Sequence, residues 1–307
     1  MTRFTHNSRA ATILSLSLLA CAWACDKTPP AAEKPQPSVS STAATAQAET
    51  GTVQVSGSSA LQPLVNAAKE QFEASHKGMS VEVSAGGSKK GLTDVASGAV
   101  QIGDSDIFAP PDLQGQLIDH RVAVVGFAAM ANKGPFNEKV KAVSMQDLAK
   151  VFSGVTTNWK DLGGSAQPIV VINRSPNSGT RAVFGSIVLG GDKFVEGQTE
   201  DNSGALVAKV KQTKGAITYM ALSFADPEMV VIGLKSDAGV IDPTQANITS
   251  GQYPIWSYEH MYTKGQPTGT AKQFLDYMVS PGFQEHVLPT VKGFIPVTQM
   301  KTSRDKD

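Results

Sequence analysis

Apolar and polar residues alternate along this chain in two interleaved rhythms. Val53-Gln54-Val55 and Met79-Ser80-Val81-Glu82-Val83 change character at every residue, the period of a half-buried strand. Between them Leu61, Leu64, Val65, Ala68 and Phe72 recur at helical spacing, which predicts a helix over 61–72. A second helix is predicted over 90–97 and a short strand over 100–103. The long apolar run 121–130 reads as a strand buried on both faces. Strands and helices keep alternating through 145–152, 169–172, 181–189, 205–212 and 229–234, and further helices are expected at 272–278 and 282–288. No internal repeat is visible, and residues 301–307 read as a frayed polar tail. The pattern as a whole predicts an α/β fold.

The N-terminal fifty residues break this rhythm. Arg3 and Arg9 form a positive segment ahead of the apolar stretch 10–20, which is too short and wrongly flanked for a membrane span. Leu18-Leu19-Ala20-Cys21 resembles a bacterial lipobox, so residues 1–21 are expected to be a lipoprotein signal peptide with Cys21 as the lipidated residue. Cys25 is the alternative, a poorer match because Trp23 precedes the small residue. Residues 22–51 are rich in Pro, Ala, Ser, Thr and Glu and nearly devoid of large apolar side chains, as in a disordered, semi-extended linker. An exported protein held by lipid to a membrane, in the periplasm or at the cell surface, is the expectation, with plain secretion as the alternative. Both cysteines of the chain lie in this segment, so the folded body has none for thiol catalysis, structural zinc or disulfides.

A chain of 307 residues has room for two domains. The formal net charge is zero, and the 27 basic side chains, less Arg3 and Arg9, face 27 acidic ones in the mature chain. That balance argues against a nucleic-acid binder or a polybasic membrane-surface protein. Any anion site must therefore be local, made by a few positioned groups. No phosphate-binding P-loop, dinucleotide fingerprint or Gly-x-Ser-x-Gly elbow is present, and the histidines show no metal spacing. Asp104 and Asp106 form a carboxylate pair without an evident third metal ligand, and Trp256 and Tyr258 read as packing residues.

Four turns share one character, in which a strand ends, a small hydroxyl or glycine run follows, and a helix starts. They are Gly57-Ser58-Ser59-Ala60, Gly86-Gly87-Ser88, Gly103-Asp104-Ser105-Asp106 and Ser178-Gly179-Thr180. The last is flanked by Arg174 and Arg181 and follows the apolar run 169–172. Helix N-termini present unpaired N–H groups and a positive dipole end, which favour an anion, and an arginine adds a bidentate fork. The same Ser and Thr residues would also serve as ordinary helix caps beside solvated arginines. Convergence of several such turns on one arginine is what would separate the two readings.

The ordered set Ser56-Gly57-Ser58-Ser59-Ala60-Leu61-Gln62-Pro63-Leu64, Gly86-Gly87-Ser88, Ile102-Gly103-Asp104-Ser105-Asp106 and Asn173-Arg174-Ser175-Pro176-Asn177-Ser178-Gly179-Thr180-Arg181 resembles the phosphate-binding proteins of bacterial phosphate ABC transporters, the PstS type. Val151-Phe152-Ser153-Gly154, residues 157–164, Gly215-Ala216-Ile217-Thr218-Tyr219 and Tyr262-Thr263-Lys264-Gly265 are also similar to that family. The resemblance runs over 53–297, and its most specific part is the Arg-x-x-x-Ser-Gly-Thr segment.

The resemblance implies a two-lobed α/β periplasmic-binding-protein fold of type II, with two crossing strands as hinge. Lobe I would comprise 52–130 and 256–300, and lobe II 131–255. It implies inorganic phosphate as the ligand, delivery to an inner-membrane ABC permease and ATPase complex, a monomer, no cofactor, no metal and no enzymatic activity. The ligand set it implies is Ser59 and the backbone N–H of Ala60, Ser88, Asp106, and Arg174 with Ser178, Gly179 and Thr180. An aromatic stands at the Ala60 position in longer family members, a departure of little weight for a backbone contact. Asp106 would select for a protonated oxyanion, because a carboxylate accepts the O–H of phosphate and repels fully ionised sulfate. Asp104 is expected to face outward or to pair with Lys89 or Lys90, and Arg181 to support Asp106. The rival readings are a site for another oxyanion such as sulfate or molybdate, and a phosphate-ester hydrolase or adhesin on the same fold.

Overall fold

A computed structural model describes residues 50–305. The expected signal peptide, most of the linker, and Cys21 and Cys25 lie outside the described residues. In chain order the elements are β1 (Gly51–Gly57), α1 (Gln62–Ser75), β2 (Met79–Ala85), α2 (Ser88–Ser97), β3 (Ile102–Ser105), β4 (Leu117–Asn132), β5 (Ala142–Ser144), α3 (Met145–Phe152), β6 (Val170–Arg174) and α4 (Gly179–Phe184). They continue with β7 (Gln198–Glu200), α5 (Ser203–Gln212), β8 (Ala216–Ala221), β9 (Met229–Ser236), β10 (Gly239–Ile241), α6 (Gln245–Thr249), β11 (Trp256–Lys264), α7 (Gly269–Met278) and β12 (Phe294–Ile295).

The helices form where the apolar spacing places them. α1 buries Leu64, Val65, Ala68 and Phe72, with Pro63 in its first turn, where a missing N–H costs nothing. Phe72 packs edge-on against Phe274 of α7, tying α1 to the C-terminal helix. α3 is capped by Ser144, whose hydroxyl accepts the Asp147 N–H, and carries Asp147 and Lys150 at the ends that suit the helix dipole. The helix expected over 181–189 is instead α4 followed by a wider π-helical turn, Gly185–Leu189.

β4 joins the two halves of the molecule. Its first part pairs antiparallel with β11 and β12, and from Phe127 onward it pairs with β8 and β9. On one side β1 lies parallel between β2 and β3, and β11 bridges β3 to β4. On the other side β6 lies parallel between β8 and β7. Residues 122–131 of β4 are buried without a break, as the apolar run requires. β11 is the less expected strand. Its aromatic and charged residues are buried from Trp256 to Thr263, because it lies inside the sheet with partners on both edges.

Candidate anion-binding site

The parallel strands of each half end on the same side, so their following turns converge. β1 runs into Ser58 and Ser59, β2 into Gly86-Gly87 and the start of α2, and β3 into Asp106. From the other half come Arg174 at the end of β6, the start of α4, and Ser203 at the start of α5. These turns meet. Arg174, only 1% exposed, donates from Nη2 to Ser59 Oγ at 3.0 Å. Ser59 Oγ also accepts the Ser203 N–H at 3.2 Å. Thr180 Oγ1 donates to Asp106 Oδ2 at 2.8 Å, and Ser58 Oγ donates to Asp106 Oδ1. The Asp106 N–H donates to Ser88 Oγ at 2.9 Å. Lys89 N–H donates to the Asn177 carbonyl at 3.1 Å, a backbone bond across the same junction.

Glycine makes this approach possible at Gly179. A Cβ there would lie 2.1 Å from Ser88 Oγ and 2.9 Å from Asp106 Cβ. Opposite it, Gly87 has φ +87 and would carry a Cβ 2.5 Å from the Asn177 carbonyl oxygen. Both positions need a bare backbone, one for space and the other also for conformation.

The site sets one buried guanidinium among neutral donors and a carboxylate. Arg174 Nε and Nη1 have no hydrogen-bond partner among the described residues. Burial lowers the Arg174 pKa, opposed first by the charge of Asp106 and less by that of Asp201. Tyr219, whose hydroxyl accepts the Arg174 N–H at 3.3 Å, is pushed up to about 12 by burial and remains a neutral phenol. A buried guanidinium with unused donors, ringed by hydroxyls and helix starts, is the equipment of an oxyanion site.

The PBP superfamily domain matches residues 42–281. The phosphate-binding protein PstS of Bacillus subtilis (strain 168) is 46% identical over 259 residues, covering 83% of this chain and 84% of its own. The chain belongs to the PstS family of the PBP superfamily. A substrate-binding protein assigned to phosphate ABC transport from Clostridium perfringens, solved with bound phosphate, is 27% identical with a TM-score of 0.74, covering 80% of this chain and 100% of its own. An ABC-type phosphate transport receptor from Vibrio cholerae shares the fold, at 20% identity and a TM-score of 0.64, covering 80% of this chain and 100% of its own. The two halves about β4 are thus the two lobes of a periplasmic-binding-protein fold.

Against the residues expected from the PstS resemblance, the structure gathers Ser59, Ser88, Asp106, Arg174, Gly179 and Thr180 into one junction. The Ala60 N–H points to Ser58 Oγ at 3.0 Å. Ser178 is engaged by its hydroxyl as the cap of α4, accepting the Arg181 N–H at 3.2 Å. Two expectations are corrected. Asp104 neither faces outward nor pairs with Lys89 or Lys90; it is 1% exposed, and Lys90 pairs with Asp94 instead. Every residue of β3 is buried, so the strand offers no outward face, and burial followed by the Asp106 charge pushes the Asp104 carboxyl well above its usual range. Arg181 does not support Asp106. It donates to the Arg174 carbonyl and to Asp192 and lies over the Phe194 ring, because Thr180 already occupies the Asp106 side of the turn.

Three residues of the junction lie outside the ligand set that the resemblance implies. Ser58 sits in the same turn as Ser59. Ser203 follows Asn202, a helix cap after a short strand, which is the same signal as the four recognised turns. Glu259 lies in the aromatic run of β11, fully buried, and its burial depends on strand pairing that no local pattern reveals.

Proposed function

We propose that this cluster binds inorganic phosphate in the cleft between the lobes and that the protein delivers it to an ABC permease for import. The observation that carries the reading is the placing of Asp106, a buried acceptor, beside Arg174, a buried cation with two unused donor nitrogens. Arg174 supplies charge, and the hydroxyls of Ser59 and Ser88 with the N–H groups of the helix starts, including that of Thr180, supply neutral donors. Asp106 accepts the remaining proton of phosphate. Sulfate offers no such proton and meets repulsion and an unserved acceptor, a penalty on the order of several kcal/mol. The named relatives are phosphate-binding proteins, and one solved neighbour carries phosphate, which supports the same assignment.

In this reading the protein binds and releases its ligand and does no chemistry on it. It acts as a monomer, with lobe I formed by 52–130 and 256–300 and lobe II by 131–255. Lipidation at Cys21, or at Cys25, tethers it through the linker to a membrane on the exported side, within reach of the permease and its ATPase. Calorimetry with phosphate and with sulfate tests the proposal. Heat with phosphate and none with sulfate is expected, and equal affinity for the two anions, or silence with phosphate, would overturn it.

A further inference from the structure

β11 carries Glu259 and His260 side by side into the sheet between β3 and β4. His260 has an evident role: its Nδ1 lies 2.7 Å from Asp119 Oδ1, and its ring stacks on Tyr262. Glu259 has no comparable partner. It is fully buried, and neither carboxyl oxygen meets a hydrogen-bond donor among the described residues. Antiparallel pairing of His260 with Ser105 sets Glu259 across from Asp106, and the group its carboxyl meets is the Asp106 carboxyl.

The surrounding charges do not relieve this contact. Asp104 on β3 and Asp106 just after it both act on Glu259, and both are acidic. On β4, Asp119 is paired with Arg121 and His260, and on α2, Asp94 is paired with Lys90. Two buried carboxyls in contact do not both ionise without a cation between them. Burial, then the charge and hydrogen bond of Asp106, push the Glu259 carboxyl well above its usual range, in keeping with that geometry.

We propose that Glu259 is a positioning residue for ligand selection, carrying a proton that it donates to Asp106 so that Asp106 remains the charged acceptor facing the ligand. The proposal rests on the phosphate reading of the cleft. A carboxylate offers about four lone-pair sites. Ser58 and Thr180 take one on each oxygen of Asp106, which leaves one for Glu259 and one for a ligand O–H. Were the proton to sit on Asp106 instead, the acceptor would become a donor, and sulfate would gain the bond that only a protonated oxyanion now forms.

Infrared difference spectroscopy between the wild type and Glu259→Gln reads the proton directly. At pH 7 the wild-type-minus-variant difference is expected to show a protonated-carboxyl C=O stretch that Glu259→Gln has lost, any band from Asp104 being common to both and cancelling. Identical spectra in that region overturn the proposal, with or without phosphate binding. Calorimetry reads the consequence: Glu259→Leu, which cannot donate, is expected to lose at least about tenfold of the phosphate-over-sulfate preference. Glu259→Gln, which keeps a donor beside Asp106, is expected to recover most of it. A folded Glu259→Leu protein with wild-type preference overturns the proposal, and if that variant does not fold, the infrared comparison decides. A wild type that gives no heat with phosphate counts against the phosphate reading alone, since the infrared measurement needs no ligand.

Discussion

Thr180 Oγ1 donates to Asp106 Oδ2 at 2.8 Å, joining turns 74 residues apart and on different lobes. With the Ser58 hydroxyl on the other oxygen, Asp106 is held as an acceptor by neutral donors from both sides of the cleft. Among the described residues it makes no direct bond to a cation, so in the proposed function its charge is available to a ligand proton while Arg174 attends to the ligand's negative oxygens. In the proposed function the same residue therefore both joins the lobes and chooses the anion.

Replacing Asp106 with Asn separates these two roles. The amide still offers an oxygen to one hydroxyl, and the other hydroxyl can turn to accept its NH₂ group. The like-charge repulsion is gone, and a donor now faces the anion. Sulfate binding should appear in calorimetry, with the phosphate-to-sulfate preference reduced by at least about tenfold, the worth of one charge-assisted hydrogen bond. An unchanged preference would show that discrimination resides elsewhere.

Gly179 tests closure. Alanine at the first position of α4 suits a helix and strains no torsion, yet its Cβ would meet Ser88 Oγ at 2.1 Å across the cleft. Overpacking of this kind costs about 1–3 kcal/mol, and it falls on the arrangement in which the lobes touch. Gly179→Ala should therefore weaken phosphate binding by roughly tenfold or more at that cost. Its melting temperature without phosphate should stay within a few degrees of wild type. Small-angle scattering in saturating phosphate should show a more open average shape.

Much of this architecture was legible in local patterns. The apolar set of α1 matches its buried face, and the run 121–130 is the heart of β4, because burial on one face or on two leaves a periodic trace. The turns of the site were legible for a related reason: a strand end followed by small hydroxyl residues is needed wherever a helix N-terminus approaches a ligand. Asp104, Arg181 and Glu259 were not legible. Asp104 lies on β3 and Asp106 just beyond its end, yet only the packing around β3 decides that neither reaches solvent. Glu259 becomes part of the site through the register of β11 against β3, a pairing of segments more than 150 residues apart.

Asp104 gives a prediction in pH. Burial, then the charge of Asp106, raises its folded-state pKa well above the usual value. A raised carboxyl favours folding fully at pH below its unfolded pKa of about 3.9 and loses that contribution as pH rises toward the folded value. Asp104→Asn removes the titration. Its denaturation midpoint at pH 7 should exceed that of wild type, and the gap should narrow as pH falls to about 4. Phosphate affinity at neutral pH should change little, since the Asp104 side chain takes no part in the hydrogen bonds that join the two lobes. A loss of affinity in Asp104→Asn would mean that Asp104 does more than sit beside the site.

Arg174→Lys asks whether the charge or the fork matters. Lysine keeps a cation near Asp106, so the fold should survive with a similar melting temperature in the absence of phosphate. The planar fork is lost, and with it the bond to Ser59 and the two buried nitrogens free to meet an anion. Each charge-assisted bond contributes about 1.5–3 kcal/mol, so a loss of about a hundredfold in affinity is expected. Thermal shift makes the difference plain. At a phosphate concentration of about 100 times the wild-type Kd, ligand binding stabilises the wild type by about 2.7 kcal/mol, and a hundredfold weaker variant by only about 0.4 kcal/mol. The phosphate-induced rise in melting temperature should nearly vanish in Arg174→Lys while the ligand-free midpoint holds. A variant that keeps the full shift would assign the anion contact to charge alone and take the guanidinium fork out of the mechanism.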